Sequence, residues 1–178
     1  MAEDEEMLEE EMYQMFVESE RSTVISASAF EKEVITLKRI NPISVEEGIT
    51  AQDAMDSMLK HKIGCMLVVK KGKLTGIITE GDIARRIVGA KKDALKVNVE
   101  NIMTQNPECQ EPDASIAFVL NAMVVGGYRH IPIVDKKLSP VAVISVNDIM
   151  RYLVSFFSEE ILNLPPKPIL RTKDREGA

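Results

Sequence analysis

Two short motifs in this sequence pair a hydroxyl side chain with a carboxylate three positions later, Thr79-x-x-Asp82 and Ser145-x-x-Asp148. Each motif follows a short apolar run and precedes a helical pattern, so we expect it where a strand hands over to a helix. Unpaired backbone N–H groups and the helix dipole attract a phosphate at such a place. The hydroxyl can donate to that phosphate, while an ionised carboxylate only accepts hydrogen bonds, which suits the two neighbouring hydroxyls of a ribose. The motifs therefore predict a nucleotide site.

A ligand-free explanation of the same spacing stays open. Ser/Thr-x-x-Asp is also the capping-box pattern, in which the two side chains satisfy N–H groups at the helix start. Thr50 and Asp53 have this spacing before another predicted helix. Taken alone, each motif favours capping, and full capping and full ribose binding compete for the same carboxylate.

Basic side chains lie close to both motifs. Arg85 and Arg151 follow the two aspartates by three positions, which places them near the same helix face as candidates for contact with phosphate oxygens. Solvated surface arginines are the alternative. Arg129 and His130 open a predicted strand of the second half, where Arg129 adds a fixed charge and His130 titrates near neutral pH. A structural hydrogen bond is the alternative role for His130.

No motif indicates an enzyme. GxGxxG, the P-loop, GxSxG and HExxH are all missing from the sequence. The two cysteines, Cys65 and Cys109, lack a metal-like spacing and predict neither a zinc site nor a disulfide framework. We therefore expect no catalytic residue, no metal and no covalently attached cofactor.

The two motifs belong to an internal repeat. Asn41-Pro42 recurs as Asn106-Pro107, 65 positions later, and after one extra residue the offset becomes 66. The larger offset aligns Asp82 with Asp148. The single gap falls at a predicted turn, so the chain is built from two copies of one unit.

Each copy predicts the same elements. Apolar residues at helical spacing, Ala51 to Leu59 and Ile116 to Val124, indicate an amphipathic helix. Two apolar runs across a tight turn then indicate a β-hairpin, and a second helix follows. A copy of ~55–60 residues is marginal alone, so we expect the two hairpin sheets to pack together around one shared core. Lead-in residues that match before the two copies are Val34 with Val99 and Leu37 with Ile102.

In this order, twice over, the motifs resemble those of tandem CBS-domain proteins, the family named after cystathionine β-synthase. The resemblance covers residues 34–155 and rests on the Asn-Pro pairs, on Gly76 to Ile83 with Ala142 to Ile149, and on Arg129 to Asp135. It implies an α/β (α+β) fold of two tandem CBS repeats with pseudo-twofold symmetry, in which small sheets pack against helices.

The resemblance also implies a set of ligand contacts. Asp82 or Asp148 would bind a ribose, and Arg129 and His130 would lie at the phosphates. Adenine needs an apolar slot edged by backbone amides, and Ile131 and Pro132 have core packing as their alternative role. The residues implied for the adenine pocket are Ile43, Ser44, Ile63, Gly64, Cys65, Met66, Cys109, Tyr128, Ile131 and Pro132.

The formal net charge of −6 hides an acidic N-terminus on a mildly basic body. Residues 1–20 carry nine Asp or Glu and no Lys or Arg, so the other residues hold 19 acids against 22 bases. This balance admits an anionic ligand, whereas nucleic-acid-binding domains are usually far more basic. The start lacks the basic region of a secretory signal and no apolar run approaches the ~20 residues of a membrane span. We expect a cytoplasmic protein with neither membrane nor nucleic-acid contacts.

The sequence divides into four predicted parts. Leu8, Met12, Met15 and Phe16 have the spacing of an amphipathic helix. Proline and basic residues dominate the C-terminal end, which predicts an extended tail. The parts are an acidic N-terminal helix and linker (1–28), a first CBS repeat (29–92), a second CBS repeat (93–158) and a proline-rich basic tail (159–178).

The function implied by the resemblance is that of a regulatory sensor. AMP, ADP or ATP would bind in clefts between the repeats, with S-adenosylmethionine and NAD as other adenosyl ligands. Occupancy would pass to an unknown regulated protein by a conformational shift, and the chain would form a homodimer. One alternative is a ligand-free interaction or dimerisation module acting through the acidic N-terminal helix. A second alternative is an RNA or polyphosphate binder.

Overall fold

The computed structural model describes residues 27–37 and 42–157. The acidic helix predicted within residues 1–28 and the tail predicted over 159–178 lie outside the described residues, apart from the last two positions of the linker. The fold is mixed α/β, as predicted, with small sheets packed against helices.

Both predicted hairpins are confirmed. Strands β2 (Cys65–Lys70) and β3 (Lys73–Thr79) pair antiparallel in the first repeat, and a parallel strand β1 (Ser44–Glu46) joins β2. A fourth strand, β4 (Thr104–Gln105), pairs with β3, so the sheet order is β1-β2-β3-β4. The second repeat forms a separate two-stranded sheet from β5 (His130–Val134) and β6 (Pro140–Ser145).

The helices flank the hairpins in the predicted order. The first hairpin is followed by a short α-helix that continues as a π-helix, whereas the second is followed by a regular α-helix. Short 3-10 turns cover Val34–Leu37, Val99–Asn101 and Ser155–Phe157. The helices are α1 (Ala27–Glu31), α2 (Ala51–His61), α3 (Glu80–Ile83, with the π-helix Ala84–Val88), α4 (Ile116–Gly126) and α5 (Val146–Val154).

Caps at both ends decide where the two long helices, α2 and α4, begin and end. Thr50 forms the predicted capping box with Asp53 at the start of α2, and these hydrogen bonds lower the pKa of the Asp53 carboxyl. Helix α2 stops at Lys62, whose φ of 54° lies in the left-handed region. Helix α4 starts at Ser115 and stops at Gly127, where a φ of 68° suits glycine.

The buried side chains form two clusters, where the sequence predicts one shared core. The first cluster lies between α2 and the sheet β1–β4, and the second lies between α4, α5 and the hairpin β5–β6. The first contains Val99, Ile102 and Met103 from the start of the second repeat, and the second contains Val34 from the start of the first. Each of the two cores is therefore completed by the lead-in segment of the other repeat.

Backbone hydrogen bonds hold the exchanged segments in place. The Val34 N–H donates to the Ala114 carbonyl at 2.8 Å, and the Ile116 N–H donates to the Lys32 carbonyl at 2.9 Å. In the other direction, β4 covers the open edge of β3, and the Asn106 N–H extends the pairing to the Thr75 carbonyl at 3.0 Å. Sequence matching assigns each lead-in to its own copy, whereas packing places it on the opposite one.

A glycine in β3 gives the exchanged segment its room. A Cβ built on Gly76 would lie 2.2 Å from the Met103 sulfur, and Met103 is itself buried. We expect Gly76→Ala to lower the free energy of unfolding by ~1–3 kcal/mol, because overpacking a filled core displaces its neighbours. Urea denaturation measures the change.

Gly64→Ala is the matched control for this substitution. A Cβ on Gly64 meets only the Glu80 side chain, at an ordinary 3.6 Å. We expect a change within ~0.5 kcal/mol of the parent. Equal stability of the two variants would contradict the close approach of Met103 to β3.

Candidate functional site

The first motif forms a closed polar cluster at the start of α3. The Thr79 N–H and hydroxyl both donate to Oδ2 of Asp82, at 3.1 and 2.7 Å, and the Asp82 N–H donates back to the hydroxyl oxygen at 3.2 Å. The other carboxylate oxygen, Oδ1, lies 3.4 Å from Nη2 of Arg85 and 3.8 Å from Nε of Arg86. Only 3% of Asp82 is exposed, so the protein itself surrounds the carboxylate.

Arg86 also reaches the lead-in segment of the second repeat. Its Nη1 donates to the Ile102 carbonyl at 3.0 Å and to the Met103 carbonyl at 2.7 Å. The π-helix carries this side chain, whereas the matching part of α5 is a regular α-helix. Arg86 was not among the predicted site residues, although its position next to Arg85 is visible in the sequence.

The second motif repeats the cap at the start of α5. The Ser145 N–H and hydroxyl donate to Oδ2 of Asp148, at 2.8 and 2.6 Å, and the Asp148 N–H donates to the hydroxyl oxygen at 3.2 Å. The capping interpretation is thus confirmed for both motifs. Asp148 differs from Asp82 in being partly exposed, so its surroundings decide whether a ligand can also reach it.

A cavity of about 580 Å³ lies beside Asp148. It is bounded by α5 on one side and by the lead-in segment of the first repeat on the other. A volume in the range ~300–1,000 Å³ is usual for small-molecule sites. The lining residues are Lys32, Thr36, Leu37, Asp148, Arg151 and Tyr152.

The cavity brings together predicted and unpredicted residues. Asp148 and Arg151 were predicted from the motif and its spacing. Lys32, Thr36 and Leu37 come from the lead-in segment of the first repeat, whereas Asp148 lies in the second. The sequence of one copy alone therefore does not indicate them. The sequence signal for these residues is the match between the two lead-in segments. That match does not show that each segment packs on the opposite repeat.

Tyr152 anchors the wall of the cavity. Its hydroxyl donates to the Ala29 carbonyl at 3.0 Å, and its ring meets Phe156 edge-on with centroids 5.0 Å apart. The Lys32 ammonium lies 5.7 Å from the Tyr152 ring centroid, within the range of a cation–π contact. The tyrosine therefore holds α1 and the lead-in residue Lys32 against α5.

The remaining charged candidates lie at the opening of β5. Arg129 is exposed, and its carbonyl accepts from the Val146 N–H at 3.0 Å, next to the start of α5. His130 is partly buried and pairs with Ser145 across the hairpin. The structure thus brings both residues close to the second motif, while their contact with a ligand stays a prediction.

The residues implied for the adenine pocket divide between surface and core. Met66 and Ile131 have no exposed surface and belong to the two cores, and Pro132 is buried in β5. Burial, followed by the charge of Glu108, raises the pKa of the Cys109 thiol, which disfavours the reactive thiolate. The partly buried members are Ile43, Ile63, Gly64, Cys65 and Cys109, and the exposed ones are Ser44 and Tyr128.

Residues 27–37 and 42–157 contain no group of three or more His, Cys, Asp or Glu side chains placed to hold a metal ion. The helices in these ranges are too short or too polar to cross a bilayer.

A scan against protein-family models matches the CBS domain twice, at residues 32–89 and 99–155. These two matches cover more than half of the chain and coincide with the two halves of the repeat. The chain belongs to the CBS-domain family. Its two CBS domains contain the Thr79 and Ser145 motifs at equivalent places.

Curated relatives of this CBS-domain protein share its repeat region. The CBS domain-containing protein CBSX3, mitochondrial, of Arabidopsis thaliana is 32% identical over 120 residues, covering 65% of this chain and 58% of that protein. The uncharacterised protein MK0525 of Methanopyrus kandleri is 32% identical over 116 residues, covering 63% of this chain and 59% of that protein. The chain thus spans less than two thirds of the length of these relatives.

Solved structures confirm the tandem CBS fold. The CBS domain pair of protein MJ0100, crystallised with 5′-methylthioadenosine and S-adenosyl-L-methionine, matches with a TM-score of 0.63 and 29% identity, over 69% of this chain and 96% of that one. The CBS domain protein PAE2072 from Pyrobaculum aerophilum, complexed with AMP, matches with a TM-score of 0.63 and 20% identity, over 71% and 98%. The second match is evidence for the fold alone.

Proposed function

We propose that this CBS pair is a regulatory module that binds an adenine nucleotide in the cleft beside Asp148. The observation that carries the proposal is the cavity of about 580 Å³ in which a capping carboxylate, two cations and an aromatic wall converge. The adenosyl class is supported by the MJ0100 pair, which was crystallised with two adenosyl compounds.

The charge of the cleft favours a phosphorylated ligand. Lys32 and Arg151 place two positive charges around the single carboxylate of Asp148. S-adenosylmethionine carries a sulfonium cation and 5′-methylthioadenosine carries no phosphate, so neither compensates the excess positive charge. A 5′-phosphate does, through charge-assisted hydrogen bonds. AMP, ADP and ATP are therefore proposed as ligands in preference to S-adenosylmethionine. NAD is a further candidate because it also carries phosphate groups.

Each lining residue has a role in the proposed complex. Asp148 accepts the ribose hydroxyls at its partly exposed carboxylate, which also caps the helix with Ser145. Lys32 and Arg151 bind phosphate oxygens. Leu37 and the Tyr152 ring supply apolar surface for adenine. Arg129 and His130, at the start of β5, are proposed to extend the phosphate contacts of longer nucleotides.

The position of the cleft suggests how occupancy becomes a signal. Its walls come from α5 and from the lead-in segment of the first repeat. A ligand that contacts both favours the arrangement of the repeats in which both contacts are made. The shift is limited to the difference between the ligand's affinities for the two arrangements. A regulated partner protein would sense that arrangement, without catalysis by the CBS pair.

Calorimetric titration tests the proposed function. The protein is titrated with AMP, ADP, ATP, NAD, adenosine, 5′-methylthioadenosine and S-adenosylmethionine. We expect the nucleotides to bind more tightly than adenosine and 5′-methylthioadenosine. A folded protein that binds none of these compounds would overturn the sensor proposal and leave the interaction module as the better explanation.

Lys32→Met tests the phosphate preference. We expect the affinity for AMP to fall by about 3- to 10-fold, the equivalent of one charge-assisted hydrogen bond to a partly solvated phosphate. Affinity for adenosine should change less than about twofold, since adenosine has no phosphate for Lys32 to contact. Lys60→Met, on the exposed last turn of α2, is the control for the lost surface charge. An equal loss for AMP and adenosine would contradict the role of Lys32.

A homodimer is proposed from the outer face of α4. Phe118, Val124 and Val125 lie on one face of this helix and are 54%, 74% and 78% exposed. An apolar helix face of this kind marks an interaction site. We expect light scattering to give twice the chain mass, and Phe118→Glu with Val125→Glu to give the monomer. A monomeric parent protein would remove this proposal without affecting the nucleotide cleft.

A cytoplasmic location is proposed from the cysteines. The sequence has two cysteines, Cys65 and Cys109, and this low cysteine content without a disulfide framework suits a reducing compartment. Cell fractionation tests the location.

A further inference from the structure

We propose that the two clefts of this CBS pair are unequal, because Arg86 fills the cleft of the first motif and leaves one nucleotide site per chain. This inference rests on the proposed function of the Asp148 cleft. It goes beyond that function by assigning Arg86 as the internal occupant of the equivalent space.

The carboxylates of the two motifs have different surroundings. One oxygen of Asp82 accepts from Thr79, and the other lies within 3.4 Å of Arg85 and 3.8 Å of Arg86. With 3% of Asp82 exposed, a ribose has no surface of this residue to contact. Asp148 makes the same cap but is partly exposed and lines the cavity.

The position of the cavity in the second repeat is matched in the first repeat by the guanidinium of Arg86. By the repeat match, Leu37 in the cavity wall corresponds to Ile102, whose carbonyl accepts from Arg86 at 3.0 Å. Arg86 itself corresponds to Tyr152, whose ring lines the cavity while its hydroxyl donates to the Ala29 carbonyl. The arginine therefore bridges the start of α3 and the opposite lead-in segment, where a ligand is proposed to do so in the other half.

The first cleft also lacks one of the proposed phosphate contacts. Lys32 in the cavity wall matches Val97, which packs against the first core. The positive charge in this cleft comes from Arg85 and Arg86, both directed at Asp82. A guanidinium has five donors in a fixed plane, so Arg86 can satisfy the two carbonyls and the carboxylate together. In this proposal the contacts of Arg86, whose side chain is 44% exposed, take the place of a bound nucleotide.

Calorimetry with AMP tests the number of sites. We expect one AMP per chain for the parent protein, and two equivalent sites would overturn the inference. We expect Arg86→Tyr, which makes the first half match the second at this position, to raise the stoichiometry from one to two. A folded Arg86→Tyr variant that still binds one AMP would show that Arg86 is not what closes the cleft.

Hydrogen exchange tests the same contact without a ligand. The Arg86 hydrogen bonds hold the carbonyls of Ile102 and Met103, so Arg86→Gln should speed amide exchange in residues 99–106 by about tenfold or more. Arg85→Gln is the matched control, because Arg85 pairs with Asp82 but is mostly exposed. Unchanged exchange in Arg86→Gln would overturn the inference. A failure of AMP to bind any variant would instead count against the proposed function, while the exchange result still decides the role of Arg86.

Discussion

Asp148→Asn should lower the affinity for AMP by about 10- to 100-fold. A carboxylate that accepts from ribose hydroxyls makes charge-assisted hydrogen bonds, each worth ~1.5–3 kcal/mol, and an amide loses the charge and half of the acceptors. The asparagine oxygen can still accept from Ser145, so the cap survives in weakened form. We expect the stability of the protein to fall by only ~0.3–1 kcal/mol, the usual effect of a negative charge at a helix start. Calorimetry and urea denaturation measure the two quantities.

A third capping box in the same chain provides the control for Asp148→Asn. Asp53 caps Thr50 with nearly the same geometry but on exposed surface. Asp53→Asn should reproduce the small loss of stability and leave AMP affinity unchanged. If Asp148→Asn and Asp53→Asn had equal effects on both stability and affinity, Asp148 would be a cap without a ligand role.

Ile102→Ala should lower the free energy of unfolding by ~2–5 kcal/mol, the usual cost of removing a large buried aliphatic side chain. Ile102 has no exposed surface and lies in the first core although it belongs to the start of the second repeat. The substitution removes packing that holds the two repeats together. We therefore expect the lower stability to appear as one shifted transition in urea, with both repeats unfolding together.

Leu95→Ala is the control for Ile102→Ala. Leu95 precedes the same lead-in segment but is 66% exposed. We expect its truncation to change stability by no more than ~0.5 kcal/mol. Two separate urea transitions in the Ile102 variant, with only one shifted, would contradict the view that the exchanged segment links the repeats.

The features predictable from the sequence are those decided by neighbouring residues. The α2 cap depends on Thr50 and Asp53, three positions apart, and the hairpin β2–β3 depends on two apolar runs separated by a tight turn. The caps at Asp82 and Asp148 are equally local. Interactions of this range follow from spacing alone, and the internal repeat shows each of them twice.

The site as a whole depends on contacts between distant residues. Lys32 and Asp148 line one cavity, although more than a hundred positions separate them. The repeat indicates that Val34 matches Val99, but it gives no sign that each packs on the opposite core. A single unpaired edge on β3 and an incomplete core in each copy are the physical reasons for the exchange, and both become visible only in three dimensions.

The difference between the two clefts is predictable from the sequence only in part. Arg86 and Tyr152 occupy matching positions and differ in charge and shape, which the aligned copies display. The structural effect of this difference depends on the π-helix, which directs Arg86 to two carbonyls. The residues of that stretch do not predict a π-helix.

The exchange of lead-in segments also constrains how the chain folds during synthesis. The first core needs Val99, Ile102 and β4, which are translated after α3 and its π-helix are complete. Until residue 105 has left the ribosome, the emerging first repeat has an uncovered strand edge and an open core, both of which promote aggregation. Conversely, the two halves supplied as separate polypeptides, divided near Gly89, would each carry the piece that the other lacks. We therefore expect that neither half regains the fold alone and that the two halves regain it when they are mixed.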